Sequence, residues 1–463
     1  MRRNATPFRG WLIISLVVVA APALCGFAIP VSAAGPAASS AASSTSSTKG
    51  SSAIQDLKNP NPDKRAKAAT ELGKMGDPKV VPALAAALND SSPKVRRQVV
   101  IAVASYRTPQ SLDALIKATM DNDEETRWLA VKGIEGYYTG SSPKGGVFGF
   151  MERQYHRAKE VFVQNSVRVS PGTAIDPQAV SALDRTMMDT RFPKAAREAT
   201  VALGILQAKA AIRDLVKTAH SGDEDLAREA LNSLAKLQDT SAGPQLIDLL
   251  DSSNTNIQQD AAVTVGILRT RSAVPKLQTM YQNSPKKETR EKALKGLAYI
   301  GDPVSEPIFL KALYSSDSSV RTYAAEGLAR TKGKQGLTEL LRVTPAEKNE
   351  SVKLAMEFGV TSLGRDDYLS SIIKQLSSGD ADAAQAYLVE LTRDSNMLSK
   401  LYPYMNSSDS DVRRRLCNVL MYSGDHSSLQ PLERASHDKN SDVASAALNA
   451  MRSVRIRISS ATR

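Results

Sequence analysis

One short stretch recurs along the chain at nearly constant spacing, and it limits the fold more than any other feature. SSPKVRRQVVIAVASYR (residues 91–107) returns as SSDSSVRTYAAEGLAR (315–330) and again as SSDSDVRRRLCNVLMYSG (407–424). Aligned on the first arginine, equivalent positions fall at Arg65, Arg96, Arg127, Ala196, Ala227, Gln258, Arg290, Arg321, Lys353, Gln385, Arg413 and Ala444. The steps are 31, 31, 69, 31, 31, 32, 31, 32, 32, 28 and 31, so a single step breaks the rule. A fixed period of this size marks a unit that cannot bury its own apolar face, so that neighbours must stack to complete a continuous core. Aromatic residues make up only 5% of the chain, which suits closely packed small helices better than sheets.

Each unit reads as two helices. In the second unit, Val81, Leu84, Ala85 and Leu88 share one face of a first helix, SSP turns the chain, and Val95, Val99, Ala102 and Val103 share one face of a second helix. Similar first helices are SAGPQLIDLLDSS (241–253), AVPKLQTMYQNS (273–284) and VSEPIFLKALYSS (304–316). Pro82, Pro244, Pro275 and Pro307 fall where a first turn is expected, a place that needs no proline N–H. Asp and Ser before the second helices are expected to cap their exposed amides.

The pattern ALGxxGDxxAVxxLxxxLxDxDxxVRxxAAxAL resembles HEAT-like repeats of the short type also found in phycobilisome lyases. LGKMGDPKVVPALAAALNDSSPKVRRQVVIAV (Leu72–Val103) and LAYIGDPVSEPIFLKALYSSDSSVRTYAAEGL (Leu297–Leu328) carry it best. The resemblance covers about residues 51–457 in twelve units, the most degenerate lying near Ala196 and Gln385. It implies an all-α fold: a right-handed α-α superhelix of the HEAT/armadillo-like solenoid kind, built from about twelve helical hairpins with one inserted loop-helix. It implies little about function, because this architecture serves unrelated purposes.

The N-terminus reads differently. Arg2, Arg3 and Arg9 form a basic region, WLIISLVVVAAPAL (Trp11–Leu24) an uncharged apolar one, and Val31–Ala33 followed by Ala34 supplies small residues at a cleavage-like spacing. Residues 1–34 are therefore expected to be a signal peptide cleaved near Ala33/Ala34, making the protein periplasmic or secreted. The alternative is an uncleaved inner-membrane anchor, since the apolar run extends brokenly to Ile29. Ser, Ala, Thr and Gly dominate residues 35–52, a flexible linker. Repeats 1–3 are then assigned to 51–138, an insertion to 139–175, repeats 4–12 to 176–457 and a tail to 458–463. VRIRI (Val454–Ile458) alternates apolar and basic residues and reads either as the end of the array or as a partner contact.

Loss of the signal removes three arginines and no acid, so the net charge of +12 becomes +9. Export would take nucleic acid out of reach, and no nucleic-acid partner is expected. The expected partner is a protein, or else an anionic envelope polymer, with a membrane involved only if the signal stays attached. Cys25 lies in the signal, and Cys417 stands alone on the apolar stripe LCNVLM, so it reads as a buried structural residue and not as a nucleophile.

The recurring arginines have two readings, a ligand-binding ladder or a structural one in which each guanidinium pairs with turn carbonyls or with an aspartate such as Asp90, Asp121, Asp317 or Asp409. The structural reading is favoured, since an arginine fork can satisfy several loop groups at once. Extra charges beside the ladder, Arg97 and Arg414, are the better candidates for partner contact. The long step carries the other candidates. Its surplus, TGSSPKGGVFGFMERQYHRAKEVFVQNSVRVSPGTAI, has turn-forming edges and a helical middle, with Met151, Tyr155, Ala158 and Phe162 at helical spacing. Phe148, Phe150, Arg153, Tyr155, Arg157 and Phe162 combine aromatic and cationic side chains, the types that anchor interfaces. The competing reading buries this helix on adjacent repeats.

Catalytic patterns are missing. His156, His220, His426 and His437 are scattered, none stands in HExxH, and none precedes a glutamate as in the His-Glu dyads of iron-binding HEAT-repeat hydroxylases. No CxxC, GxSxG or Gly-rich phosphate loop occurs. The expectation is a noncatalytic scaffold without cofactor, exported to the bacterial envelope, that binds through its inner helical surface and the 139–175 insertion. The alternatives are a lyase-like or chaperone-like protein handling a small cofactor, and a membrane-tethered assembly factor.

Overall fold

A computed structural model describes residues 49–140 and 168–461. The signal segment and most of the insertion, including Phe148, Phe150, Arg153, Tyr155, Arg157 and Phe162, lie outside the described residues. Within them the chain is all-α, and no strand occurs. No described helix is long and apolar enough to cross a membrane.

Twelve second helices, one per ladder position, follow in order: α1 Pro62–Met75, α2 Pro93–Ala104, α3 Glu124–Thr139, α4 Pro193–Ile205, α5 Glu224–Leu237, α6 Thr255–Ile267, α7 Lys287–Ile300, α8 Ser318–Thr331, α9 Glu350–Ser362, α10 Ala381–Leu391, α11 Ser410–Ser423 and α12 Ser441–Ala461. Their starts follow from their caps. Asn61, Asp123, Asp223, Asn254, Asp317, Asn349 and Asp409 each accept a hydrogen bond from an amide of the turn they precede, satisfying donors that have no partner within the helix. Pro62, Pro93 and Pro193 occupy first turns.

Each second helix packs on the next, and shorter first helices lie alongside. One apolar cluster runs through the stack from Ala53 to Val454. Leu84, Val99, Val103, Leu294, Leu297, Phe309 and Leu328 are all fully buried in it. A close approach joins α6 to α7, where a Cβ built on Gly266 would lie 2.5 Å from the Gly296 Cα. Only paired glycines permit that spacing.

One local expectation is revised. Pro82, Pro275 and Pro307 do sit in first turns, but Pro244 lies inside Thr240–Asp251, a helix that is 3-10 throughout. Its missing N–H removes an α-type bond, and the tighter winding avoids the clash that an α-helix would impose. The VRIRI segment lies in the last described helix, α12, which runs on to Ala461, in keeping with its reading as the end of the array. Val454 is buried there, and the Arg457 guanidinium donates to the carbonyls of Met421 and Gly424. Packing on α11 overrides the period-two pattern.

The long step does not interrupt the stack, since α3 packs directly on α4. Arg127 Nη1 reaches Asp189 at 3.0 Å, the Lys194 amide donates to Glu124 at 2.8 Å, and Lys132 bridges Glu135 and Glu198 at 3.0 and 2.9 Å. The described end of the insertion is tied down: Val169 is buried and donates to the Ile205 carbonyl at 3.0 Å. Gly172, at φ +82°, lies against the Ile456 side chain of α12.

Candidate partner-binding surface

The ladder arginines bind the chain itself. Arg65 Nε and Nη2 meet both oxygens of Asp90 at 2.6 and 2.8 Å, while its Nη1 donates to the carbonyls of Asn59 and Pro60. Arg96 does the same with Asp121 at 2.7 and 2.8 Å and with the carbonyls of Asp90 and Ser91. Arg321 grips Glu347 at 2.8 and 3.1 Å, and Arg413 grips Asp438 at 2.7 and 3.0 Å. The acid lies 25 or 26 residues beyond its arginine, in the turn of the following unit. That acid also accepts the amide two residues further on, as Asp90 does from Ser92 and Asp438 from Asn440. Each guanidinium thus staples its own turn to the next, and hydrogen bonding from the arginine holds Asp90, Glu347 and Asp438 below the usual carboxylate range.

Two of the aspartates considered as ladder partners do other work. Asp317 caps α8 and pairs with Lys287 at 2.5 Å, and Asp409 caps α11. Arg321 and Arg413 reach past them because the fork needs an acid in the next turn, not in its own. The two candidate contact residues beside the ladder are also paired: Arg97 with Asp123 at 2.5 and 2.7 Å, and Arg414 with Asp411 at 2.9 Å. Both stay partly exposed, at 41% and 34% of their side chains, so each can still meet a partner.

The second helices also carry a polar interior that the apolar periodicity conceals. Arg330 on α8 forms paired bonds with Glu390 on α10 and a longer one of 3.3 Å with Glu326. Tyr387 donates to Glu326 at 2.6 Å and stacks on Phe358 with centroids 4.3 Å apart. Arg269, just past α6, lies 3.9 Å from Glu390. Lys295 sits 5.7 Å from the Tyr323 ring, and burial pushes its ammonium down to about 8 against the pull of Glu326. Lys132, Lys295, Glu326 and Glu390 each stand five residues after a ladder position. That shared register is the signal by which they could have been found.

Reactive chemistry is scarce. Cys417 is buried on α11, and burial pushes its thiol up to about 12, which leaves almost no thiolate at neutral pH. No group of three His, Cys, Asp or Glu side chains among the described residues could hold a metal ion.

A family model described as HEAT repeats matches residues 51–135, 212–293 and 274–359, together half of the chain. The chain belongs to the HEAT-repeat family. The solved structures that this HEAT-repeat protein resembles include an engineered protein at 16% identity and TM-score 0.33, covering 88% of this chain and 99% of that one. Human deoxyhypusine hydroxylase in complex with glycerol gives 13% identity and TM-score 0.26 over 62% of this chain and 98% of the enzyme. Kap121p gives 12% identity and TM-score 0.39 over 89% of this chain and 50% of that protein. No curated protein matches the sequence. The family assignment rests on the repeat match and not on these likenesses.

Proposed function

We propose that this HEAT-repeat protein is a noncatalytic scaffold of the bacterial envelope that holds a protein partner on its second helices and its 139–175 insertion. The observation that carries the reading is the direct packing of α3 on α4. Described residues tie that junction together, with Arg127 on Asp189 and Lys132 on Glu198, so a segment rich in aromatic and basic side chains inserted there suits partner contact. Arg97 and Arg414, partly exposed on α2 and α11, extend the same basic, protein-binding character. Absence of catalytic patterns from the sequence favours a scaffold over an enzyme, and the basic N-terminal segment with its apolar run and small-residue site favours export.

Affinity capture from native envelopes, with the full chain and with a variant lacking 141–167, tests this. The full chain should retain one stoichiometric protein and the variant should lose it while keeping its helical circular dichroism. Equal capture by both proteins would refute the role given to the insertion. A chromophore or metal that co-purifies would favour the cofactor-handling alternative, and the mass of the native N-terminus reports whether residues 1–34 are removed.

A further inference from the structure

The ladder has an internal logic that exposes one exception. Where the arginine is replaced, the acid 25 residues on is missing too: Ala196 is followed at that distance by Ser221, Ala227 by Ser252, Gln258 by Asn283 and Lys353 by Ser378. Where the arginine is kept, at Arg65, Arg96, Arg127, Arg321 and Arg413, a carboxylate of a later turn meets it. Arg290 breaks the rule. Its Nη1 donates to the carbonyls of Ser284 and Pro285 at 2.7 and 3.1 Å, the same anchoring that fixes Arg96 and Arg413. Yet the residue 25 positions on is Ser315, and among the described residues no carboxylate accepts from Arg290 Nε or Nη2.

Ser315 performs only half of the usual task. Its hydroxyl accepts from the Asp317 amide at 3.1 Å, as Asp90 accepts from Ser92, but it brings no charge to the guanidinium. Asp317, the next acid in sequence, is engaged by Lys287 and by the amides of Ser319 and Val320. The turn that anchors Arg290 also walls a cleft of about 510 Å³, lined by Asp251, Gln258, Lys276, Asn283, Ser284 and Thr289, in which Lys276 pairs with Asp251 and Gln258 donates to the Leu250 carbonyl at 2.8 Å. A guanidinium fork held in one orientation, with its two remaining donors unclaimed beside an open cleft, suits a planar carboxylate.

We propose that Arg290 is the docking point for an acidic peptide segment of a partner, whose carboxylate takes the place that the chain's own acid fills elsewhere in the ladder. This rests on the scaffold reading for the class of partner, but on a different surface from the insertion. Arg290 lies in PKKETREK (residues 285–292), a stretch with four basic residues, which favours approach of an anionic segment.

The test uses a fluorescein-labelled peptide of alternating Gly and Asp, its Asn counterpart, and the full chain at about 150 mM salt, where long-range attraction is screened. The Asp peptide should bind the native protein, and Arg290→Gln should weaken it about tenfold. Ser315→Asp supplies a carboxylate from within, so it should weaken binding as much while raising Tm. Lys117→Gln, which removes an exposed charge on a distant first helix, should leave binding unchanged. Equal binding of the Asp and Asn peptides, or unaltered affinity in both Arg290→Gln and Ser315→Asp, would overturn the proposal. So would an equal loss in Lys117→Gln. Capture of an envelope partner that depends on 141–167 but not on Arg290 would leave the scaffold reading standing and remove this one.

Discussion

Arg330 and Glu390, 60 residues apart, join α8 to α10 through two bonds of 2.9 and 2.8 Å. Their side chains are only 6% and 17% exposed. Burial alone disfavours charge on both, yet the guanidinium is held above and the carboxylate below its ordinary range, because the two ions answer each other. A buried pair of this kind is weak evidence for net stability, but removing one partner strands the other. Arg330→Met is therefore expected to cost about 3–5 kcal/mol, and Arg330→Met with Glu390→Gln distinctly less. Denaturant unfolding of the three proteins checks this; a single variant within about 1 kcal/mol of the native protein would show that the clamp is not coupled to folding.

The ladder predicts unequal costs for the same substitution. Arg96→Gln leaves Asp121 nearly buried without its fork and should lose about 1–3 kcal/mol. Arg290→Gln strands no carboxylate and should lose less. Urea midpoints measured side by side would contradict the staple account if the two losses matched.

The pH response should have two opposed parts. Burial, reinforced by the neighbouring carboxylate of Asp214, raises the Asp184 carboxyl from 3.8 to about 6 despite Arg185. The folded state thus binds this proton more tightly than the unfolded chain does, so the contribution is present below about pH 4 and is lost as pH rises through 6. Asp90, Asp123, Glu347 and Asp438 are depressed, and their contribution is lost in the other direction, as pH falls below 4. Asp184→Asn should gain on the native protein as pH rises from 5 to 7.5, by less than about 1 kcal/mol because the group is only half-buried and solvent screens part of the effect. Melting curves across that range would refute the assignment if the difference stayed flat.

Glycines should respond according to their neighbours. A Cβ at Gly296 would meet the Ala262 carbonyl oxygen at 2.4 Å, whereas one at Gly222 would meet nothing within 4 Å. Gly296→Ala is expected to destabilise by about 1–3 kcal/mol through overpacking of α6 on α7, and Gly222→Ala to be neutral or slightly stabilising. Thermal melts of the pair would disprove the close approach if they shifted alike.

The repeat was legible because its physics is local. Val95, Val99, Ala102 and Val103 declare a helix face within one unit, and the spacing of Arg65, Arg96 and Arg127 sets the register of the stack. Even the acids Asp90 and Asp121 stood at a readable distance from their arginines. Asp317 and Asp409 misled because an aspartate before a helix caps it as readily as it pairs, and sequence does not rank the two uses. The cluster of Arg330, Glu326, Tyr387 and Glu390 was hidden for a different reason. Its members meet two units apart, and period alone does not fix how far each helix pair turns on the last. Pro244 looked like its counterparts and differed only in the winding of its helix.

The interactions of Glu390 with Arg330 and Arg269 reach back two and four units, while the staples reach only to the next turn. Under tension applied at its ends, the array would therefore not peel one hairpin at a time along its whole length. The hairpins at either end would give way singly, and those from α6 to α10 would hold until the shared carboxylate released them, then yield together in one long extension.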